Sequence, residues 1–283
     1  MRVALLTNLT ARASQPVLER LVASQQVDLR HIFFYNTLAA GRASPLKVLR
    51  QFGWKTLVSK IVQVVHGKLR SLLVRALGKS WIAPRSAHEL AVMRGLPHSL
   101  TSDINSREST ARLVELGVDV LLVCVCKNIL LPGLLTTPNL RFVNIHPSLL
   151  PDYRGPTPTF WMLYHGEQQT GYTIHHMTPQ VDRGAILAQG AVPLDNRKSE
   201  LQIELQVFSA ASVVLVETLL SLENTVVDAR GPNQLEDGSA NGSSVGDKSS
   251  QGDGRHASPG SYHTYPTPRQ RRELRERLRV ANG

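Results

Sequence analysis

Arg141-Phe142-Val143-Asn144-Ile145-His146-Pro147-Ser148-Leu149-Leu150-Pro151 is the stretch from which the rest of the chain can be read. An apolar run from Leu140 leads into Asn144 and His146, two positions apart. In a strand the side-chain period is two, so both polar groups fall on one face. Pro147 then removes a backbone N–H and ends the strand. An amide donor and a titratable ring thus stand side by side at a strand-to-loop junction, the kind of place where reactive groups concentrate.

Working outward, residues 2–7 and 27–35 read as strands flanking a helix over 14–23, with Ser14 as its cap. A helix over 109–116 precedes a continuous apolar strand, 118–126, of the kind buried on both faces of a parallel sheet. The strand 141–146 follows, then a helix over 159–165, strands 172–177 and 185–192, and a long helix over 199–222. This alternation predicts an α/β fold, an open and mostly parallel sheet with Rossmann-type layers and ligands at the carboxyl ends of strands. Asn144 and His146 lie at such an end. The turn after the first strand, Asn8 to Ser14, contains no glycine. The G-x-G-x-x-G fingerprint is therefore missing, which disfavours a nicotinamide enzyme. Cys124 and Cys126 lie two apart in the apolar strand with no partner at metal spacing, so both read as core and no metal site is predicted.

Asn144-x-His146 leading into Ser-Leu-Leu-Pro, followed by Tyr153-Arg154-Gly155 and Val181-Asp182-Arg183-Gly184, resembles the formyltransferase family. Its enzymes move a formyl group from 10-formyltetrahydrofolate to an amine. The likeness covers residues 115–220 and, more weakly, 1–30. It implies Asn144, His146 and Asp182 as the catalytic set and 10-formyltetrahydrofolate as the donor. It also implies a donor pocket lined by Lys127, Asn128, Ile129 and Leu130 on one side and by Val181, Arg183 and Gly184 on the other. His175 falls where some members carry a histidine near the formyl group. Members acting on glycinamide ribonucleotide carry a Gly-rich loop after the first strand, which the turn 8–14 lacks. The acceptor implied is a primary amine, with an amino sugar on a nucleotide carrier or a related small amine ahead of methionyl-tRNA. Two alternatives stand beside this reading: hydrolysis of the donor, and a non-catalytic RNA- or membrane-binding protein on the same scaffold.

The chain has 283 residues, 42% of them apolar, as in globular proteins. Its formal charge of +10 is uneven: residues 41–79 contain nine Lys or Arg and no acid. Residues 41–85 read as a basic helical insertion in a catalytic domain spanning 1–228, with Leu57, Ile61 and Leu69 expected to be buried against it. Such charge points to anionic partners, tRNA or an anionic membrane surface. Residues 229–261, rich in Gly, Ser, Asn and Asp, read as a disordered linker. Thr267-Pro268-Arg269-Gln270 is a capping box opening a helix over 268–280, and the segment 262–283 reads as a tethered return to the catalytic domain. This leaves little room for the second, β-rich domain of methionyl-tRNA formyltransferases. With a short apolar run at its start and no uninterrupted apolar span of about 20 residues, the chain is expected in the cytoplasm.

Overall fold

The computed structural model describes residues 1–36, 84–126, 128–222 and 260–282. Seven strands form one sheet in the order β3-β2-β1-β4-β5-β6-β7. They are β1 (Arg2–Asn8), β2 (Asp28–Tyr35), β3 (His98–Thr101), β4 (Val120–Cys124), β5 (Arg141–His146), β6 (Gln169–His176) and β7 (Ile186–Pro193). β1 pairs in parallel with β2 and β4, and β2 with β3, whereas β6 runs antiparallel to both β5 and β7. The described helices are α1 (Gln15–Ala23), α2 (Ala87–Arg94), α3 (Arg107–Glu115), α4 (Pro132–Leu135), α5 (Pro158–His165), α6 (Glu200–Ser221) and α7 (Pro268–Asn282). The expected open, mostly parallel α/β sheet is therefore what the chain forms.

The chain divides into two compact units, Met1–Phe142 and Val143–Gly283. In the first, β1 and β4 are apolar throughout their middles, with Leu5, Leu6, Leu121 and Leu122 fully buried. Strands buried on both faces show no alternation, which is why these two are plain in the sequence. β3 and α2 are not. His98-Ser-Leu-Thr101 is a short strand at the end of the sheet order with Leu100 exposed, so it lacks an apolar signature. Ser14 does not cap α1 as expected: its hydroxyl donates to the Ala11 carbonyl and gives the helix no side-chain cap. β4 stops at Cys124, because Val125 turns into the left-handed region at φ 50° and takes Cys126 out of the strand. Cys124 is buried, Cys126 half-buried, and neither is in a disulfide.

In the second unit, α6 opens with a reciprocal capping box between Ser199 and Gln202. Among the described residues α6 is long and apolar enough to cross a bilayer, where no such segment is expected. It packs on β6 and β7, burying Ile203, Val207, Phe208, Ala211, Leu215 and Leu219, as the core helix of a sheet does. α7 starts with the predicted box: Thr267 N–H donates to Gln270 Oε1 and Gln270 N–H to Thr267 Oγ1. Leu274, 3% exposed, joins Phe160, Trp161 and Val207 in one apolar cluster, and Leu278 packs against its edge. The side chain of Val280, Lys127, residues 41–83 of the insertion with Leu57, Ile61 and Leu69, and residues 229–259 of the linker lie outside the described residues.

Ile145 sits between Asn144 and His146 with its side chain on the opposite, buried face, at 1% exposure. Ile145→Ala should cost about 2–5 kcal/mol by lost transfer energy and the cavity left behind. Urea unfolding checks this, and a cost below about 1 kcal/mol would mean that β5 is not anchored through this face.

Candidate functional site

β5 and β6 carry the site's side chains. Antiparallel pairing sets Asn144 opposite His175 and His146 opposite Thr173. Directly opposed residues share a face of the sheet, so the amide and both rings converge. His175, 2% exposed, donates Nδ1–H to the carbonyl of His176 at 2.8 Å. A carbonyl only accepts, so the proton is on Nδ1 and Nε2 carries the lone pair. Asn144 Nδ2 lies 3.1 Å from that nitrogen and donates to it. This orients the Asn144 amide, and its second N–H is left for another acceptor.

His146, 4% exposed, is oriented from the other end. Its Nε2–H donates to the carbonyl of Tyr153 at 3.0 Å. Nδ1 lies 3.7 Å from Asp182 Oδ1, which also lies 3.8 Å from His175 Nε2. Both separations exceed a direct hydrogen bond. The other carboxylate oxygen, Asp182 Oδ2, accepts the Gly155 N–H at 2.8 Å. A proton taken up at His146 Nδ1 would face a carboxylate whose place is fixed. Burial pushes His175 down to about 4, aided by the charge of His146 and opposed by Asp182. At neutral pH His175 is therefore an acceptor.

The loop after β5 is tied by polar groups that residue type alone does not announce. Ser148 Oγ donates to the Asp152 carbonyl, Thr173 Oγ1 to the Ser148 carbonyl, and Gln189 Nε2 to the Leu150 carbonyl. The Leu150–Pro151 peptide is cis. Tyr153 and Asp182 adopt φ of 56° and 53°, uncommon for side-chain-bearing residues. Gly184 is required beside Asp182, because a Cβ there would lie 1.7 Å from the His176 carbonyl oxygen. The holders of His146 and Asp182 are backbone atoms of residues 153 and 155, invisible to a reading by side-chain type. The glycine of Tyr-Arg-Gly is the one sequence signal they leave.

The structure brings Asn144, His146 and Asp182 together and adds His175 to them. Val181 and Arg183 flank Asp182 as exposed side chains, and Gly184 is buried. In the first unit, Ile129 is exposed, Leu130 is buried, and the side-chain nitrogen of Asn128 is buried with no partner among the described residues. A buried amide without a partner is costly and suits a ligand's acceptor. No group of three or more His, Cys, Asp or Glu suited to a metal occurs among the described residues.

His175 has a folded value below its unfolded 6.5. The unfolded chain then binds the extra proton between pH 6.5 and about 4, so this contribution is whole above 6.5 and lost as pH falls toward 4. Urea midpoints measured across that window should rise with pH, and His175→Gln should flatten the rise. An unchanged slope would assign the dependence to other groups.

The family model described as formyl transferase matches residues 59–219, more than half of the chain. A methionyl-tRNA formyltransferase of Rhodopirellula baltica is 37% identical over 153 residues, 53% of this chain and 45% of that protein. One of Thermotoga neapolitana is 35% identical over 147 residues, 52% of this chain and 47% of its own length. The chain thus aligns with about half the length of these relatives. Among solved structures, glycinamide ribonucleotide transformylase 1 from Symbiobacterium toebii superposes with a TM-score of 0.54 at 20% identity, over 81% of this chain and 92% of that one. The phosphoribosylglycinamide formyltransferase of Anaplasma phagocytophilum gives 0.54 at 16% identity, over 82% and 92%. At such identities the likeness is one of fold. With the matched segment running through β4, β5, β6, β7 and most of α6, the chain belongs to the formyl transferase family.

Proposed function

We propose that this protein transfers a formyl group from 10-formyltetrahydrofolate, the formyl donor of its family, to a primary amine by direct attack. The observation that carries the reading is the closed set of Asn144, His175, Asp182 and His146. It combines an oriented N–H donor with a ring poised between a carbonyl and a carboxylate. Acyl transfer to an amine needs both. The donor supplies the formyl carbon; the amine nitrogen bonds to it, and the bond to the folate nitrogen breaks. Asn144 uses its free N–H to hold the oxygen on which negative charge develops, a contribution of about 3–4 kcal/mol for such donors. His146 takes the amine's proton at Nδ1, Asp182 stabilises the imidazolium, and the ring returns the proton to the departing nitrogen. Ser148 is no nucleophile, being fully buried and committed to the Asp152 carbonyl.

Lys127, Asn128, Ile129 and Leu130 would hold the donor with Val181, Arg183 and Gly184, and the unpartnered amide of Asn128 supports their part in it. The catalytic domain is residues 1–228 and includes the basic insertion, with 229–261 as linker and 262–283 as a returning segment. For the acceptor, the names of the relatives move methionyl-tRNA ahead of the amino sugar favoured by the sequence alone. Arg272, Arg275 and Arg279, exposed on α7 at spacings of three and four, support a phosphate-bearing acceptor. A small amine and water remain as acceptors to be tested. The complete polar set counts against a scaffold without catalysis.

Incubation of the protein with 10-formyltetrahydrofolate and methionyl-tRNA, a nucleotide-linked amino sugar or water should give formylated methionyl-tRNA fastest. Dominant release of formate would make it a hydrolase. His146→Ala, Asn144→Ala and Asp182→Asn should each lower turnover by about a hundredfold or more, with much smaller changes in KM. Wild-type turnover in His146→Ala would remove the mechanism. A reduced folate analogue should raise the Tm, less so in Asn128→Ala. No binding at high micromolar concentration would leave the RNA- or membrane-binding alternative standing.

A further inference from the structure

We propose that residues 260–282 act as a positioning strap for His146 and Asp182, working through two peptide groups of residues 153–155. The peptide joining Tyr153 to Arg154 has its carbonyl on His146 Nε2 at 3.0 Å and its N–H on the Ser261 carbonyl at 3.2 Å. The next peptide, Arg154 to Gly155, has its N–H on Asp182 Oδ2 at 2.8 Å, while its carbonyl accepts from His263 N–H at 2.8 Å. A trans peptide is planar, with N–H and C=O directed to opposite sides. Each of these two plates thus links the strap at one edge to a catalytic side chain at the other. Hydrogen bonding at one edge also polarises the other.

The plates are not held by local preference. Tyr153 and Gly155 both have positive φ, 56° and 110°, and a tyrosine in that region needs its surroundings to keep it there. The strap supplies much of that hold. His263 stacks on Tyr153 with centroids 5.3 Å apart and on Trp161 at 5.0 Å. Gly260 N–H donates to Asp152 at 2.7 Å, the Arg154 guanidinium to the Gly260 carbonyl, and Trp161 Nε1–H to the Thr264 carbonyl at 2.8 Å. A Cβ on Gly155 would lie 2.1 Å from the His263 carbonyl oxygen, so the glycine admits the strap as well as the turn. α7 anchors the whole segment. Leu274 is buried, Tyr164 donates to Glu273 at 2.7 Å, and Arg271 and Arg277 lie over Phe160 and Tyr164.

Two variants of the full chain test this. His263→Pro removes the N–H given to Arg154, and Leu274→Glu undocks α7; His263→Ala keeps that N–H and serves as the contrast. Nitrogen NMR of the imidazoles, with no substrate, should show His146 as the Nε2–H tautomer in the parent. The first two variants should show a mixture of tautomers. Their kcat should fall about tenfold, the effect of one lost hydrogen bond, with KM within about twofold; His263→Ala should fall less. Exchange of the Trp161 indole N–H reports whether the strap has left Thr264. A released strap with the parent's His146 tautomer and kcat overturns the proposal. Should Leu274→Glu fail to fold, Trp161→Phe removes one strap hydrogen bond with the packing kept, and a parental tautomer and kcat there, with His263→Pro parental too, equally overturns it. The kinetic effect rests on the formyl-transfer reading, whereas the tautomer does not. A tautomer change without turnover on any acceptor would fault that reading and leave the strap in place.

Discussion

The Asp182 carboxylate, 10% exposed and lying within 4 Å of two imidazoles, is the constraint around which the second unit is arranged. A carboxylate this far out of water costs stability unless fixed donors meet it. The Gly155 N–H supplies one such donor, and the His146 ring lies 3.7 Å from the other carboxylate oxygen. Neither is available unless the loop 153–155 and the loop carrying Asp182 are both held in positive-φ turns. Gly155 and Gly184 are there for that reason. One lets the backbone of His263 approach, the other the backbone of His176.

Two histidines about 6 Å apart, sharing one carboxylate, do opposite work because their second nitrogens are tied differently. His175 is deeper, and burial keeps it neutral with its lone pair aimed at Asn144. Were it protonated, Nε2 would become a donor, the Asn144 amide would turn its oxygen toward it, and the N–H groups would move round. His146 has a carbonyl at one nitrogen and a carboxylate near the other, an arrangement suited to carrying a proton for part of a cycle. Adjacent titratable groups pushed to different tasks by their surroundings are a recurring device of acid–base sites.

Much of this could be read from residue order, and the remainder had physical reasons to hide. β1, β4 and β5 are apolar runs, and Asn144-x-His146 at the end of one needs only the period of a strand. The Thr267–Gln270 box and the pair Leu274 and Leu278 likewise follow from helical spacing, and the docked α7 bears them out. β3 and α2 went unseen because an exposed strand at the sheet's end and a short helix bury too little to leave a pattern. The Ser14 cap was misread since a serine hydroxyl serves a turn carbonyl as well as a helix N–H. The hidden part of the site is backbone. The carbonyl of Tyr153 and the N–H of Gly155 hold His146 and Asp182, and every residue type owns such atoms.

The partner of Asn144 was hidden for a further reason, which lies in the direction of β6. Only an antiparallel pairing with this register sets His175 directly across from Asn144 and Thr173 across from His146. A slip of one residue would send His175 to the other face, with Val143 and Ile145. The register is fixed from both sides. On one, Thr173 is pinned by Ser148 and Gln189, tying β6 to the loop that follows His146. On the other, the pairing of β6 with β7 shifts between Ile174 and His175, an irregularity of the kind that re-aims a side chain at a sheet's functional edge. The histidine that orients the amide is thus placed by regular pairing with β5, and the irregularity at its own position is confined to the ladder with β7.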